Sequence, residues 1–172
     1  MIDLGNPLHS ADTCFVRGKA ADIFQVVVDP GAYPVWWAAL RVSEQEVSAV
    51  PSIGDNWRVR ALGGASGLDC RFEVMDFRSD LQRNIWMDVR GVVDPCVGIG
   101  CRQQPFEAET EWYLRPWGEE DGPGTEKGTL VSVFWRVRSD PRRRQERLLR
   151  MLRRVTWRGL NGLKILFEND VS

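Results

Sequence analysis

Apolar and polar residues alternate with a period of two through six segments in the middle of the chain. These are RVSEQEV (41–47), DNWRVRAL (55–62), LDCRFEVMDF (68–77), RNIWMDVRG (83–91), FEAETEWYL (106–114) and GTLVSVFWRVR (128–138). Successive side chains of an extended strand point to opposite faces, so this period predicts strands with one buried side. The links GGASG, RSDLQ and WGEEDGPGTEKG are turn-like, and short links between consecutive strands predict an antiparallel meander. The segment 92–105 is longer, apolar and punctuated by Gly and Pro. Outside this block the pattern changes. TCFVRG (13–18) reads as a first strand, and KAADIFQVVVDP (19–30) sets Ile23, Phe24, Val27 and Val28 at helical spacing until Pro30 and Gly31 stop it. AYPVWWAAL reads as a second, short helix.

The chain closes on an unbroken helical pattern ending near Glu168, with Asp140 as N-cap and Pro141 at the first helical position. At 1.5 Å per residue it is roughly 40 Å long. Leu148, Leu152, Val155, Gly159, Leu163 and Leu166 fall on one face, widened by Leu149, Leu160 and Phe167. Arg143, Arg147, Arg150, Arg153, Arg154 and Lys164 fall opposite. Gly159 and Gly162 interrupt the apolar side at a cost of about 1 kcal/mol each relative to Ala. Three readings stay open for them: close approach to the sheet, room for a ligand, or a bend. Trp157 stands amid the basic arc. It is read as stacked under arginines, as covered by the N-terminal segment or a second subunit, or as dipping into a lipid interface.

The order is therefore strand, two short helices, about six to seven antiparallel strands in all, and one long helix: an α+β chain. The apolar stripe of the helix must cover the apolar face of the sheet. Parity names that face. Trp57 and Val59 fall on it, then Cys70, Phe72 and Val74, then Ile85, Met87 and Val89. Thr110, Trp112 and Leu114 follow, then Val131, Val133 and Trp135. Thr110 is the one polar interruption. Glu73, Glu107, Glu109 and Glu111 take the outward parity, whereas Asp76 shares parity with Val74 and is a candidate buried acid.

Composition narrows the chemistry. The 172 residues suit a single domain spanning 1–172, with 1–11 a mobile lead-in, and a net charge of −1 gives no global field toward nucleic acid. His9 is the only histidine, which removes Ser-His-Asp, Cys-His and multi-His metal chemistry, so no metal and no cofactor are expected. The N-terminus lacks the pattern of a secretory signal, and Cys14, Cys70, Cys96 and Cys101 lack paired CxxC spacing. Together these predict reduced thiols in a cytoplasmic protein. The run PRRRQERLLRMLRR has no stacking platform or groove-reading motif beside it, so its basic face is read as solvated, or as a peripheral membrane or dimer contact around Trp157, not as a nucleic-acid interface.

VRGKAADIFQVVVDPGAYPVWW resembles the opening of the START-like, helix-grip (SRPBCC) superfamily, in its polyketide cyclase/dehydrase and lipid-transport group. IGDNWRVRA, FEVMDFRSDLQRNIWMDVRG and GTLVSVFWRV resemble that group's strands, and RGLNGLKILFE its closing helix. The resemblance implies a curved antiparallel sheet wrapped round the last helix, with a cavity between them for an apolar ligand, lipid or polyketide-like. Ligand contacts are then expected from Trp37, Trp57, Val59, Cys70, Phe72 and Val74. Further contacts are expected from Ile85, Met87, Thr110, Trp112, Val133 and Trp135, and from Leu152, Val155, Gly159 and Leu163 on the helix. Trp36 and Trp37 would cap one end, one ring inward, either as a wall of that cavity or as a plug in a solid core. Binding without catalysis is the first expectation. The alternative is an aromatase/cyclase or dehydratase, for which Thr110 and Tyr33 are the candidate catalytic groups.

Overall fold

The computed structural model describes the backbone of residues 6–38, 40–46, 52–61, 68–80, 84–92, 107–118, 127–139 and 142–169. Side chains are described for 6–38, 52–57, 108–118, 127–139 and 142–169. The order is β1 (Leu8–Val16), α1 (Ala20–Val28), a 3-10 turn (Pro30–Ala32), α2 (Tyr33–Trp36) and β2 (Leu40–Glu46). β3 (Asn56–Ala61), β4 (Leu68–Asp80), β5 (Asn84–Val92), β6 (Glu107–Trp117), β7 (Gly128–Arg138) and α3 (Arg142–Asn169) follow. The segment 92–105 beyond Val92, Asp140, Pro141, Cys96 and Cys101 lie outside the described residues.

All strand pairs are antiparallel, in the order β1-β7-β6-β5-β4-β3-β2, so the chain meanders from β2 to β7 and β1 closes against the last strand. The register aligns the positions that parity assigned to one face. Trp57 stands opposite Phe72, and Val59 opposite Cys70. A second row runs Val74–Val89–Thr110–Trp135–Ser10. A third runs Met87–Trp112–Val133–Asp12, and a fourth Ile85–Leu114–Val131–Cys14. Directly opposed residues of an antiparallel pair share a face. Where side chains are described the rows are buried on β6 and β7 and at Asp12, and partly buried at Ser10 and Cys14, while Glu111 and Phe134 between them are exposed. On that outer side Arg136 pairs with Glu109.

Two expectations change here. The register shifts between Val74 and Asp76, after which Asp76 stands opposite Asp88 and Phe77 opposite Met87. A bulge of one residue reverses parity beyond it, so Asp76 leaves the row of Val74 and is no longer placed as a buried acid. Residues 8–11, expected in the mobile lead-in, belong to β1, with Leu8 opposite Val137 and Ala11 opposite Phe134. Its inward positions there are Leu8 and Ser10, followed by Asp12, so two polar residues break the apolar alternation that would announce the edge strand.

α1 buries Ile23, Phe24, Val27 and Val28 and packs against β5 and β6. α3 packs against β1, β7 and α2. Its buried stripe carries two polar side chains that periodicity passed over, Gln145 and Thr156. Gln145 donates to the Val137 carbonyl at 2.6 Å and to that of Asn6 at 2.8 Å. Arg153, placed by its angle on the solvent side, reaches the buried Asp12 with Nη2 to Oδ1 at 3.0 Å.

Candidate functional site

The sequence from Asp29 to Trp37 builds one wall of the interior. The Asp29 carboxylate accepts from the Gly31 N–H at 2.8 Å, and Pro30 and Pro34 occupy first-turn positions, where a missing N–H costs nothing. The 3-10 turn and α2 that result are too short to hold themselves. They are held by three rings. Tyr33, Trp36 and Trp37 are all buried, so the expectation of one ring inward is corrected: both tryptophans point into the molecule.

These rings meet two from the sheet. Trp36 and Trp37 lie 5.0 Å apart between centroids, and Trp112 of β6 stands 5.7 Å from Trp37 and 6.3 Å from Trp36, edge to face in both cases. Tyr33 lies 5.4 Å from Trp36 and 6.3 Å from Trp57 of β3. Edge-to-face pairs contribute about 0.5–1.5 kcal/mol each beyond the area they bury. The glycines of α3 make this possible. A Cβ on Gly159 would lie 2.8 Å from the Trp37 ring, and one on Gly162 would lie 1.6 Å from the Trp36 carbonyl oxygen. The space at these glycines is therefore taken by α2, an option not among the three left open. The Trp37 indole N–H also donates to the Val155 carbonyl at 2.8 Å.

The polar groups in this setting are few. Trp135 donates its indole N–H to Thr156 Oγ1 at 2.8 Å, which ties β7 to α3. On either side of Trp135 in its row stand Thr110 and Ser10. Thr110 Oγ1, Ser10 Oγ and Trp36 Nε1 are buried without a hydrogen-bond partner among the described residues, as is Ser139 Oγ at the end of β7. Burial pushes the Tyr33 phenol far above its ordinary value; the Asp29 carboxylate acts in the same direction, and a side-chain hydrogen bond with Trp57 opposes them. Tyr33 is therefore a neutral phenol, able to donate but held from ionising. Cys14 carries a free, half-buried thiol whose pKa is raised, chiefly by desolvation.

Of the expected contact residues, Trp37, Trp57 and Trp112 come together with Tyr33; Thr110 shares the sheet face of Trp112, in the row beside it. Val133 and Trp135 continue the same face on β7, and Leu152, Val155, Gly159 and Leu163 lie along the covering side of α3. The side chains of Val59, Cys70, Phe72, Val74, Ile85 and Met87 lie outside the described residues; their backbone register puts them on the rows named above. Trp36, not among the expected contacts, brings a buried indole N–H without a partner among the described residues, and no local sequence feature signals it. Thr156 was missed because a threonine inside an apolar stripe reads as an interruption.

No family model and no curated protein matches the sequence. Solved structures match the fold. An aromatase/cyclase from Streptomyces sp. R1128 superposes with a TM-score of 0.66 at 16% identity, covering 96% of each chain. A START superfamily protein from Mycobacterium smegmatis gives 0.60 at 16% identity, covering 94% of this chain and 97% of that one. The di-domain aromatase/cyclase of the steffimycin biosynthetic pathway gives 0.68 at 14% identity; there the match covers 96% of this chain and 52% of the larger one. The chain shares the START-like, helix-grip fold of these structures.

Proposed function

We propose that the protein binds a flat, largely apolar small molecule between the inner face of the sheet and α3, against the Tyr33, Trp36, Trp37, Trp57 and Trp112 cluster. One observation carries this. Thr110 Oγ1 and Trp36 Nε1 are fully buried beside aromatic rings and have no partner among the described residues. A buried polar group left unpaired costs about 1–3 kcal/mol, and an apolar wall with a few convergent polar atoms suits a ligand that supplies the missing partners. Trp36 offers a donor, and Thr110 both a donor and an acceptor. The ligand then carries at least one carbonyl or hydroxyl oxygen on an apolar frame. The fold supports the reading, since the helix-grip arrangement sets a bent sheet against one long helix.

A second reading is favoured by the two neighbours named as aromatase/cyclases: the same space folds a polyketide-like chain for ring closure or dehydration. Positioning would then carry the rate. A phenol as hard to ionise as Tyr33 is a poor general base near neutral pH, so its part in such a reaction would be that of a neutral hydrogen-bond donor.

The test uses tryptophan fluorescence against fatty acids, sterols and flat polycyclic aromatics, with native mass spectrometry of the purified protein for a ligand carried along. Saturable quenching by one class is expected. Thr110→Val should weaken that binding roughly fivefold, from a net hydrogen-bond contribution of about 1 kcal/mol, and leave thermal stability equal or higher. No response across the panel, together with no ligand carried through purification, would mean an ordinary core and defeat the reading. For the cyclase reading, Thr110→Val and Tyr33→Phe should reduce turnover of a polyketide-like substrate; unchanged turnover removes both assignments.

A further inference from the structure

The outer face of α3 is unlike the rest of the molecule. From Arg142 to Asn169 the helix carries eight arginines and one lysine against two glutamates, a net +7 in a chain whose total is −1. The remainder of the chain is therefore at −8. Taking Trp157 as the origin at 100° per residue, Arg143, Arg147, Arg150, Arg154, Arg158, Asn161 and Ile165 fall within one arc of about 100°. All of them are exposed. Within it, Trp157 is 43% exposed and Ile165 59% exposed, two turns apart. Val35 of α2, 71% exposed, precedes Trp36, whose carbonyl sits over Gly162, one turn from Ile165. Arg143, Arg147, Arg154 and Arg158 have no ion-pair partner among the described residues. The pairs recorded on this helix involve Arg142 with Glu146, Lys164 with Glu168, and Arg153 with Asp12.

We propose that this face docks on an anionic lipid bilayer, with Trp157, Ile165 and Val35 entering the headgroup boundary and the arginines lying against lipid phosphates. A convex helix offers no groove to a peptide. Its apolar groups are ringed by cations whose stems reach outward, which is the arrangement of a helix lying in a membrane interface. A second copy is a poor occupant, because a symmetric contact would set one strongly positive helix against another. Among the described residues no helix is long and apolar enough to cross a membrane, so contact would be peripheral. The inference is independent of any ligand in the interior.

Flotation with vesicles decides it, using phosphatidylcholine alone and phosphatidylcholine mixed with phosphatidylglycerol. Binding is expected to the anionic vesicles only, and to weaken as salt is raised. The double variant Arg154→Gln, Arg158→Gln should bind roughly 25-fold more weakly, at about fivefold per cation. Trp157→Ser should lose roughly tenfold. All three positions are solvent-facing, so unfolding is not expected, and thermal melting checks it. No binding to anionic vesicles overturns the proposal. So does binding that ignores Trp157→Ser, which would make the face a plain electrostatic surface for some acidic partner. Sedimentation showing a dimer that Trp157→Ser abolishes would assign the face to a second copy and overturn it as well.

Discussion

α3 is held on two sides by opposite kinds of chemistry. Toward α2 the contact is shape: two missing side chains, one carbonyl over Gly162, one indole over Gly159, and five aromatic rings in a connected cluster. Toward β1 the contact is charge and hydrogen bonding. Asp12 takes Arg153 through both carboxylate oxygens, and Gln145 donates to the Asn6 carbonyl just before β1 and to the Val137 carbonyl of the adjoining β7. Shape contacts fail steeply when atoms are added, because packed interiors have no slack. Polar contacts fail by smaller steps, because water can replace part of what is lost when one partner is exposed. The two sides should therefore respond very differently to single-atom changes.

The largest effect is expected at Gly162. A methyl there would overlap a backbone oxygen at 1.6 Å, and a backbone cannot turn aside as a side chain can. Gly162→Ala should displace α2 and cost more than about 3 kcal/mol in denaturant unfolding, despite the gain of roughly 1 kcal/mol in helix propensity. Gly159→Ala meets the five-membered ring of the Trp37 indole at 2.8 Å, so this buried side chain must move, but it is a side chain and not backbone. A net loss of about 1 kcal/mol is expected there, with a change in tryptophan emission as Trp37 moves. Equal effects at the two glycines would mean that α2 does not sit on α3 as described.

On the β1 side, Asp12→Asn keeps volume and one acceptor while removing the charge. Arg153 is 48% exposed and can rehydrate, so the expected loss is smaller than for a fully buried pair, about 1–2 kcal/mol. A double-mutant cycle with Arg153→Met should recover most of it as coupling. Additive losses would show that Asp12 is stabilised by something other than this arginine.

The same contrast explains what could be read from the chain. Strand parity placed Trp57, Thr110, Trp112, Val133 and Trp135 on one face, because alternation is a local property and the register preserves it. It failed beyond Val74, where one extra residue reverses the alternation and no residue type signals the bulge. The shape contacts were half visible. Two helical glycines marked the place, with close approach to the sheet as one of three open readings, but naming α2 requires knowing which element lies across the helix. The polar side was nearly invisible. Asp12 shares parity with Cys14 and Val16, and extending the strand backward from residue 13 would have turned it inward. Thr156 and Gln145 look like flaws in an apolar stripe until their partners, Trp135 and the Val137 carbonyl, are brought over from the sheet.

The smallest effect at neutral pH, and the sharpest check on the aromatic side, is at Tyr33. Its phenol is raised above its ordinary value in the folded chain, mainly by burial. An unfolded tyrosine ionises near pH 10. Below that pH both states carry the proton, and Tyr33 makes stability independent of pH. Above it the unfolded state releases the proton and the folded state does not, so stability falls as pH rises, by up to about 1.4 kcal/mol per pH unit from this one group. Tyr33→Phe should remove that slope while leaving the neutral-pH fold in place. In the parent protein the tyrosinate absorbance of Tyr33, taken as the difference from Tyr33→Phe, should appear only together with unfolding. Ionisation of Tyr33 in the folded protein near its ordinary value would mean that water reaches the rings. The contact between α2 and α3 would then be as wet as the side facing β1, and the distinction between the two would fall.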